Sequence, residues 1–151
     1  MAQSGIKVAA ECVTAYEELK SKKAFRFILF KISDDGKEIV VDETGKEDDW
    51  DVFREKLISS KSKDKRGKEG VGARYAVYDF HHTSGEGIVQ EKPGLLSWIP
   101  DDAGVFVKMT YAGSKEALKM ALPGLAADIQ ASATEDLEYE GSVRPKVFKR
   151  L

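Results

Sequence analysis

Cysteine is almost missing from this chain, with Cys12 as the single one. No internal disulfide can form, which points to a reducing compartment. Cys12 falls on the apolar side of a predicted helix and reads as a small buried hydrophobe. Histidine is scarce as well, limited to the adjacent His81 and His82 at the end of a predicted strand. Neighbours on a strand point to opposite faces, so the pair cannot readily hold one metal ion, and neither a metal nor a cofactor is expected. Long apolar runs are lacking too. The longest, "FRFILFKI", is interrupted by Arg26 and stays far below the roughly 20 residues needed to span a bilayer. The first fifteen residues, "MAQSGIKVAAECVTA", have neither the basic start nor the apolar core of a signal peptide. The chain therefore reads as cytosolic or nucleocytoplasmic.

The signatures of common catalysis are also absent. There is no G-x-x-x-x-G-K-[ST] and no G-x-G-x-x-G, so nothing cradles a phosphate. "GKEGVG" is glycine-rich, but no strand leads into it. No G-x-S-x-G elbow occurs, and Cys12 has no base beside it. An enzyme is not expected. Nor is there an excess of one charge: 24 basic residues face 26 acidic ones, for a net charge of −2. That balance excludes a global attraction to nucleic acid or membrane.

What is present suits one ordinary domain of 151 residues, 42% of them hydrophobic. Residues 1–5 are small and polar and read as an arm. From Ile6 to Lys22, apolar residues at Ala9, Cys12, Val13, Tyr16 and Leu19 recur at helical spacing. "AFRFILFKI" and "EIVVDE" flank the turn "SDDGK", which predicts a hairpin over residues 25–43 with Gly36 at positive φ. Trp50, Phe53, Leu57 and Ile58 are spaced for a short helix. "ARYAVYDFHH" is apolar on both faces and predicts a central strand. "LLSWI" and "GVFVKMTYA" add two strand candidates. The expected fold is α/β (α+β): a mixed sheet of about five strands with helices on both faces.

Charge is clustered locally. "SSKSKDKRGKEGVG" holds Lys61, Lys63, Lys65, Arg66 and Lys68 and reads as a solvated loop. Its sharper readings are a nuclear-import patch or attraction to anionic lipid headgroups, worth about 1 kcal/mol per basic residue near a charged surface. No aromatic residue interleaves with these charges, so nucleic acid is not an expected partner.

A long helix is predicted through "SKEALKMALPG", with Ser114 as its cap and Glu116 at the positive end of its dipole. Leu118, Ala121, Leu122, Leu125 and Ile129 form its core stripe. The opposite side carries Glu116, Met120, Pro123, Gly124 and Ala127, edged by Lys115 and Lys119. Pro123 should bend or break the helix. Such a smooth, positively rimmed face is either packed within the domain or reserved for a partner.

In order along the chain, "SGIKVAAECVTAYEELK", "FRFILFKI", "RYAVYDF", "LLSWIPDDA" and "KMTYAGSKEALKMAL" resemble the actin-depolymerising factor/cofilin family. The resemblance runs from about Ser4 to Gln130, covering most of the chain. It implies a single ADF-homology domain over 6–151, with the basic loop at 59–72 as an insertion. It further implies a cytoplasmic, cytoskeleton-associated monomer that binds actin monomers, preferably ADP-bound, and the sides of filaments, promoting depolymerisation and severing. Nuclear entry and a response to phosphoinositides through basic patches fit the same resemblance. Carried over by position, Ser4, Gly5, Lys108, Met109, Lys115, Glu116, Lys119 and Met120 would face actin. Ser4 would also be the candidate phosphorylation site. Lys92, Arg144 and Lys146 would serve the filament side.

The chain departs from the family pattern at several points. Phe106 and Met120 stand where basic residues are common, Gln90 replaces a charge, and Pro93 and Gly94 should weaken their strand or place it at an edge. These departures imply filament-side affinity weaker than usual. Two alternatives are a coactosin-like filament binder without severing, and a phosphoinositide-responsive module built on the basic loop and Lys119.

Overall fold

The computed structural model describes residues 6–148. β1 (Lys7–Val8), α1 (Ala10–Lys22), β2 (Phe27–Ile32) and β3 (Glu38–Gly45) come first. The helix expected from Ile6 begins only at Ala10, because Lys7 and Val8 pair in parallel with Glu38 and Ile39. Cys12, Tyr16 and Leu19 face the core as expected, whereas Val13 is exposed. The 25–43 hairpin forms from β2 and β3, and Gly36 in its turn has φ +74°. Lys20 and Lys22 end α1 where its dipole is negative.

Next come α2 (Trp50–Ile58), β4 (Lys61–Lys63), β5 (Glu69–Val71), β6 (Arg74–Thr83), β7 (Val89–Trp98), α3 (Val105–Ala121) and β8 (Ala127–Ala131). The Asp49 carboxylate caps α2, accepting from the amides of Asp51 and Val52. A 3₁₀ turn (Thr134–Leu137), a π-helical turn (Tyr139–Val143) and α4 (Arg144–Val147) complete the described chain. Six strands form the main sheet in the order β1-β3-β2-β6-β7-β8, one more than expected. β8 joins β7 in parallel, and the inner pairs are antiparallel. β6 lies near the middle, as its two apolar faces predicted. The basic loop at 59–72 is not structureless, since β4 and β5 pair as a small separate hairpin.

Two expectations about the later chain are corrected. Residues 105–113 are helical, not a strand: Val107, Tyr111, Ser114 and Leu118 recur with helical period and are all buried. Valine and phenylalanine suggested a strand by composition, and packing on the sheet overrode that preference. Ser114 is consequently no cap but a buried mid-helix residue whose hydroxyl donates to the Thr110 carbonyl (2.8 Å). The helix also stops at Ala121, so Pro123 does not kink it. Instead Pro123 and Gly124 (φ +89°) make the turn that leads into β8. Leu125, Ala127 and Ile129 therefore lie beyond the helix, and Ile129 is buried as part of a strand.

Strand alternation divides the core. On one face Tyr75, Val77 and Leu95 pack beneath α1 and α3, against Tyr16, Leu19, Val107 and Leu118. On the other, Phe27, Tyr78, Phe80 and Leu96 pack beneath α2 and the C-terminal turns. Trp50 is the hub of this second core. Its ring lies 4.9–5.9 Å from Phe53, Tyr78, Phe80 and Tyr139, and its indole N–H donates to the Leu137 carbonyl (2.7 Å).

Pro93 and Gly94 do not interrupt β7. The Pro93 carbonyl accepts from the Ala126 amide (2.8 Å), so the missing N–H faces the end of β8 and costs no bond to β6. Only the first half of β7 is an edge, because β8 pairs from Gly94 onward. A Cβ at Gly94 would come within 2.9 Å of the buried Phe80 ring. Gly94→Ala should therefore destabilise the protein by about 1–3 kcal/mol, read as a lower urea midpoint at unchanged slope.

Candidate functional site

α3 begins at Val105, after the turn "PDDAG", and its buried stripe docks on β6. Tyr75 donates its hydroxyl to the carbonyl of Tyr111, and the Tyr111 hydroxyl in turn accepts from the Ile32 amide (3.0 Å). At the far end, the Tyr16 hydroxyl (2.8 Å) and the Lys20 ammonium (3.2 Å) both donate to the Pro123 carbonyl. Burial pushes the Tyr16 phenol up to about 12 and the Tyr75 phenol higher still, so both remain donors at physiological pH. The helix is thus tied to the sheet at its middle and to α1 just beyond its end.

With the core stripe so fixed, about 100° per residue decides what faces outward. Val105 (69% exposed), Met109 (68%) and Met120 (79%) lie opposite the core. The small residues Ala112 and Gly113 and the acid Glu116 are exposed among them. Lys108, Lys115 and Lys119, at i, i+7 and i+11, form a row along one flank. Phe106, on the other flank, is 43% exposed. Six of the sequence-predicted residues, Lys108, Met109, Lys115, Glu116, Lys119 and Met120, therefore share the outer half of one helix. Ser4 and Gly5 lie outside the described residues.

The lysine row is partly committed within the domain. Lys115 and Lys119 each place an ammonium 2.9 Å from a different oxygen of Asp128 on β8. The Lys108 ammonium donates to the Asp101 carbonyl (3.0 Å). Asp128 carries no legible signal in the sequence, where the apolar periodicity continues the helix through it, but the structure places it on β8. Partial burial pushes its carboxyl up, but the hydrogen bonds and charges of Lys119 and Lys115 outweigh that and hold it below its ordinary value.

The filament-side candidates sit elsewhere, on the second face. The Lys92 ammonium lies 5.4 Å from the centre of the Phe148 ring, which also packs on His82. Arg144 reaches His82 Nδ1 (3.4 Å) and Glu140 (3.9 Å). Lys92 and Arg144 are thereby brought into one cluster, while Lys146 is exposed beside it on α4. His81 points to the opposite face, as neighbours on a strand must.

A cleft of about 410 Å³ separates the β2–β3 turn, the β4–β5 hairpin and the start of α3. Lys31, Lys61, Lys63, Lys65 and Arg74 line it, but Asp34 pairs with Lys63 and Asp42 with Arg74. Among the described residues, no helix is long and apolar enough to cross a membrane.

This fold, with a half-apolar outer helix, matches known proteins. The profile of the cofilin/tropomyosin-type actin-binding protein family covers residues 5–144. The chain belongs to that family. A cofilin of Gibberella zeae is 48% identical over 153 residues, covering 100% of this chain and 99% of that protein. A cofilin of Schizosaccharomyces pombe is 39% identical over 150 residues, covering 99% and 100%. The crystal structure of Streptomyces griseoflavus cofilin superposes with a TM-score of 0.79 at 30% identity, over 94% of this chain and 97% of that one. The family resemblance carried by the sequence motifs is thus borne out.

The Asp128 pairing has a definite pH signature. A carboxyl depressed in the folded state adds stability above its unfolded pKa and loses it as pH falls through the folded one. Asp128→Asn should remove that increment, below about 1 kcal/mol for so exposed a pair. Urea midpoints of the two proteins should differ at neutral pH and converge in strong acid.

Proposed function

We propose that this protein binds actin monomers, with the ADP-bound form preferred, and the sides of filaments, and that it promotes depolymerisation, severing and turnover by binding rather than by catalysis. The observation that carries the reading is the outer face of α3. Two methionines and a valine, each more than two-thirds exposed, are held in place by a rigidly docked helix beside three lysines. An apolar strip with a basic edge suits a partner surface that is apolar at its centre and acidic at its rim. Membership of an actin-binding family supplies the partner.

In this reading Lys108, Met109, Glu116 and Met120 make the central contact, and Lys115 and Lys119 contribute charge from their pairing with Asp128. Ser4 and Gly5 extend the contact from the arm. A phosphate on Ser4 would add about −1.5 to −2 charge and oppose docking on an acidic surface. The filament-side contact consists of Lys92, Arg144 and Lys146. It is the weaker of the two, because Gln90 is uncharged and because Phe148, His82 and Glu140 already engage Lys92 and Arg144. The protein acts as a monomer in the cytoplasm, associated with the cytoskeleton, and nuclear entry is compatible with its basic hairpin.

The lysine-lined cleft favours a second, accessory reading, in which anionic phosphoinositide headgroups bind the β4–β5 hairpin. Vesicle sedimentation at two salt concentrations tests it, since headgroup attraction weakens as salt screens it.

For the main reading, Met109→Glu combined with Met120→Glu puts two charges into the apolar strip without touching the core. Affinity for ADP-actin monomers should fall by at least about tenfold, with the urea midpoint unchanged. Lys92→Ala with Arg144→Ala should instead leave monomer affinity intact and reduce co-pelleting with filaments. Unaltered monomer affinity in the methionine variant would overturn the site assignment.

A further inference from the structure

His81 and His82 diverge, as neighbours on a strand do. The pairing of β6 with β7 creates a different constellation. Asp79 and His81 stand two apart on β6 and so share a face. Glu91 is the cross-strand partner of His81 in the register. One ligand atom from each of the three lies within 4.8 Å of the others. The Asp79 carboxylate is 3% exposed, yet its Oδ1 has no hydrogen-bond partner among the described residues. Its other oxygen, Oδ2, is the one that faces His81 and Lys23, and a carboxylate so buried is held charged only beside a cation.

A cation already stands there. The Lys23 ammonium lies 3.3 Å from Asp79 Oδ2 and 2.7 Å from Glu91 Oε1. Lys23 follows α1 as its C-cap in the left-handed region (φ 55°), the only non-glycine among the described residues with positive φ. Glycine is the usual occupant of such a position, so the fold tolerates a strained lysine where its charge reaches the two acids.

We propose that Asp79, His81 and Glu91 form a binding site for a divalent transition-metal ion of the zinc type, which Lys23 fills as an internal cation when no metal is bound. The spacing fits. Ligands bound tetrahedrally at about 2.0–2.2 Å stand about 3.4 Å apart. His81 Nε2 lies 3.1 Å from Asp79 Oδ2 and 3.9 Å from Glu91 Oε2, which brackets that value. One imidazole nitrogen and two carboxylates suit Zn²⁺ and leave a fourth position for water, whereas Mg²⁺ keeps most of its own water shell. His81 and Glu91 are each about one-third exposed, so an ion can enter. On binding, the neutral imidazole presents its Nε2 lone pair to the metal and keeps its proton on Nδ1, and the Lys23 ammonium swings into solvent. The site lies away from the outer face of α3 and does not depend on the actin reading.

Calorimetric titration of the full chain with Zn²⁺ alone tests this. One ion should bind per chain, and millimolar Mg²⁺ should not displace it. His81→Ala should weaken binding on the order of tenfold or more, whereas His82→Ala, on the opposite face, should leave it unchanged. Lys23→Met removes the competitor and should tighten binding on the order of tenfold. Far-UV circular dichroism checks that each variant is folded. Equal affinity in the wild type and His81→Ala, or no one-to-one binding by folded Lys23→Met, would overturn the proposal.

Discussion

Tyr75 of β6 donates its hydroxyl to a carbonyl in the middle of α3, and the acceptor residue, Tyr111, takes an amide hydrogen from β2. This short chain joins two inner strands to the helix that carries the candidate binding surface. It is possible because β6 is buried on both faces from Arg74 to Phe80, so alternate side chains serve two cores at once. Tyr75 and Val77 hold α1 and α3, while Ala76, Tyr78 and Phe80 hold α2 and the C-terminal turns. A disturbance in this strand would reach both candidate actin contacts, one on each face.

The consequence for α3 is a division of labour by angle. Its inner third is fixed by the core, its lysine flank is tied to Asp128, and the strip of Val105, Met109 and Met120 is left exposed. Exposed methionine of this extent costs solubility in a monomer and gains the chain nothing in folding. Methionine is flexible and polarisable, which suits a surface that must fit a partner. The lysine row has a double role. Asp128 holds Lys115 and Lys119 beside the apolar strip, an arrangement that would lower the entropy lost if a partner's acids approached them. The two ammonium groups paired with Asp128 are thereby held in a defined geometry.

Much of this was legible in the sequence where a local rule had no competitor. The β2–β3 hairpin followed from two apolar runs around Asp-Gly, β6 from its unbroken apolar length, and α2 from Trp50, Phe53 and Leu57 at helical spacing. The outward position of Met120 also followed from periodicity alone. Other features depended on partners remote in sequence. "VFV" has the composition of a strand, and only docking on β6 makes it a helix. Leu125 and Ile129 happened to continue a helical stripe, although Pro123 and Gly124 ended the helix, so β8 and the anchoring role of Asp128 were hidden. The Asp79–His81–Glu91 cluster required the register between two strands, which no single segment contains.

We propose that a docked helix with an apolar outer face makes this chain an actin-monomer binder that dismantles filaments more than it decorates them. Sedimentation of preformed actin filaments over a range of protein concentrations separates the two behaviours. Actin should move to the supernatant in proportion to added protein, with little of the protein in the pellet. Co-pelleting of both partners, with the actin pellet undiminished, would contradict it.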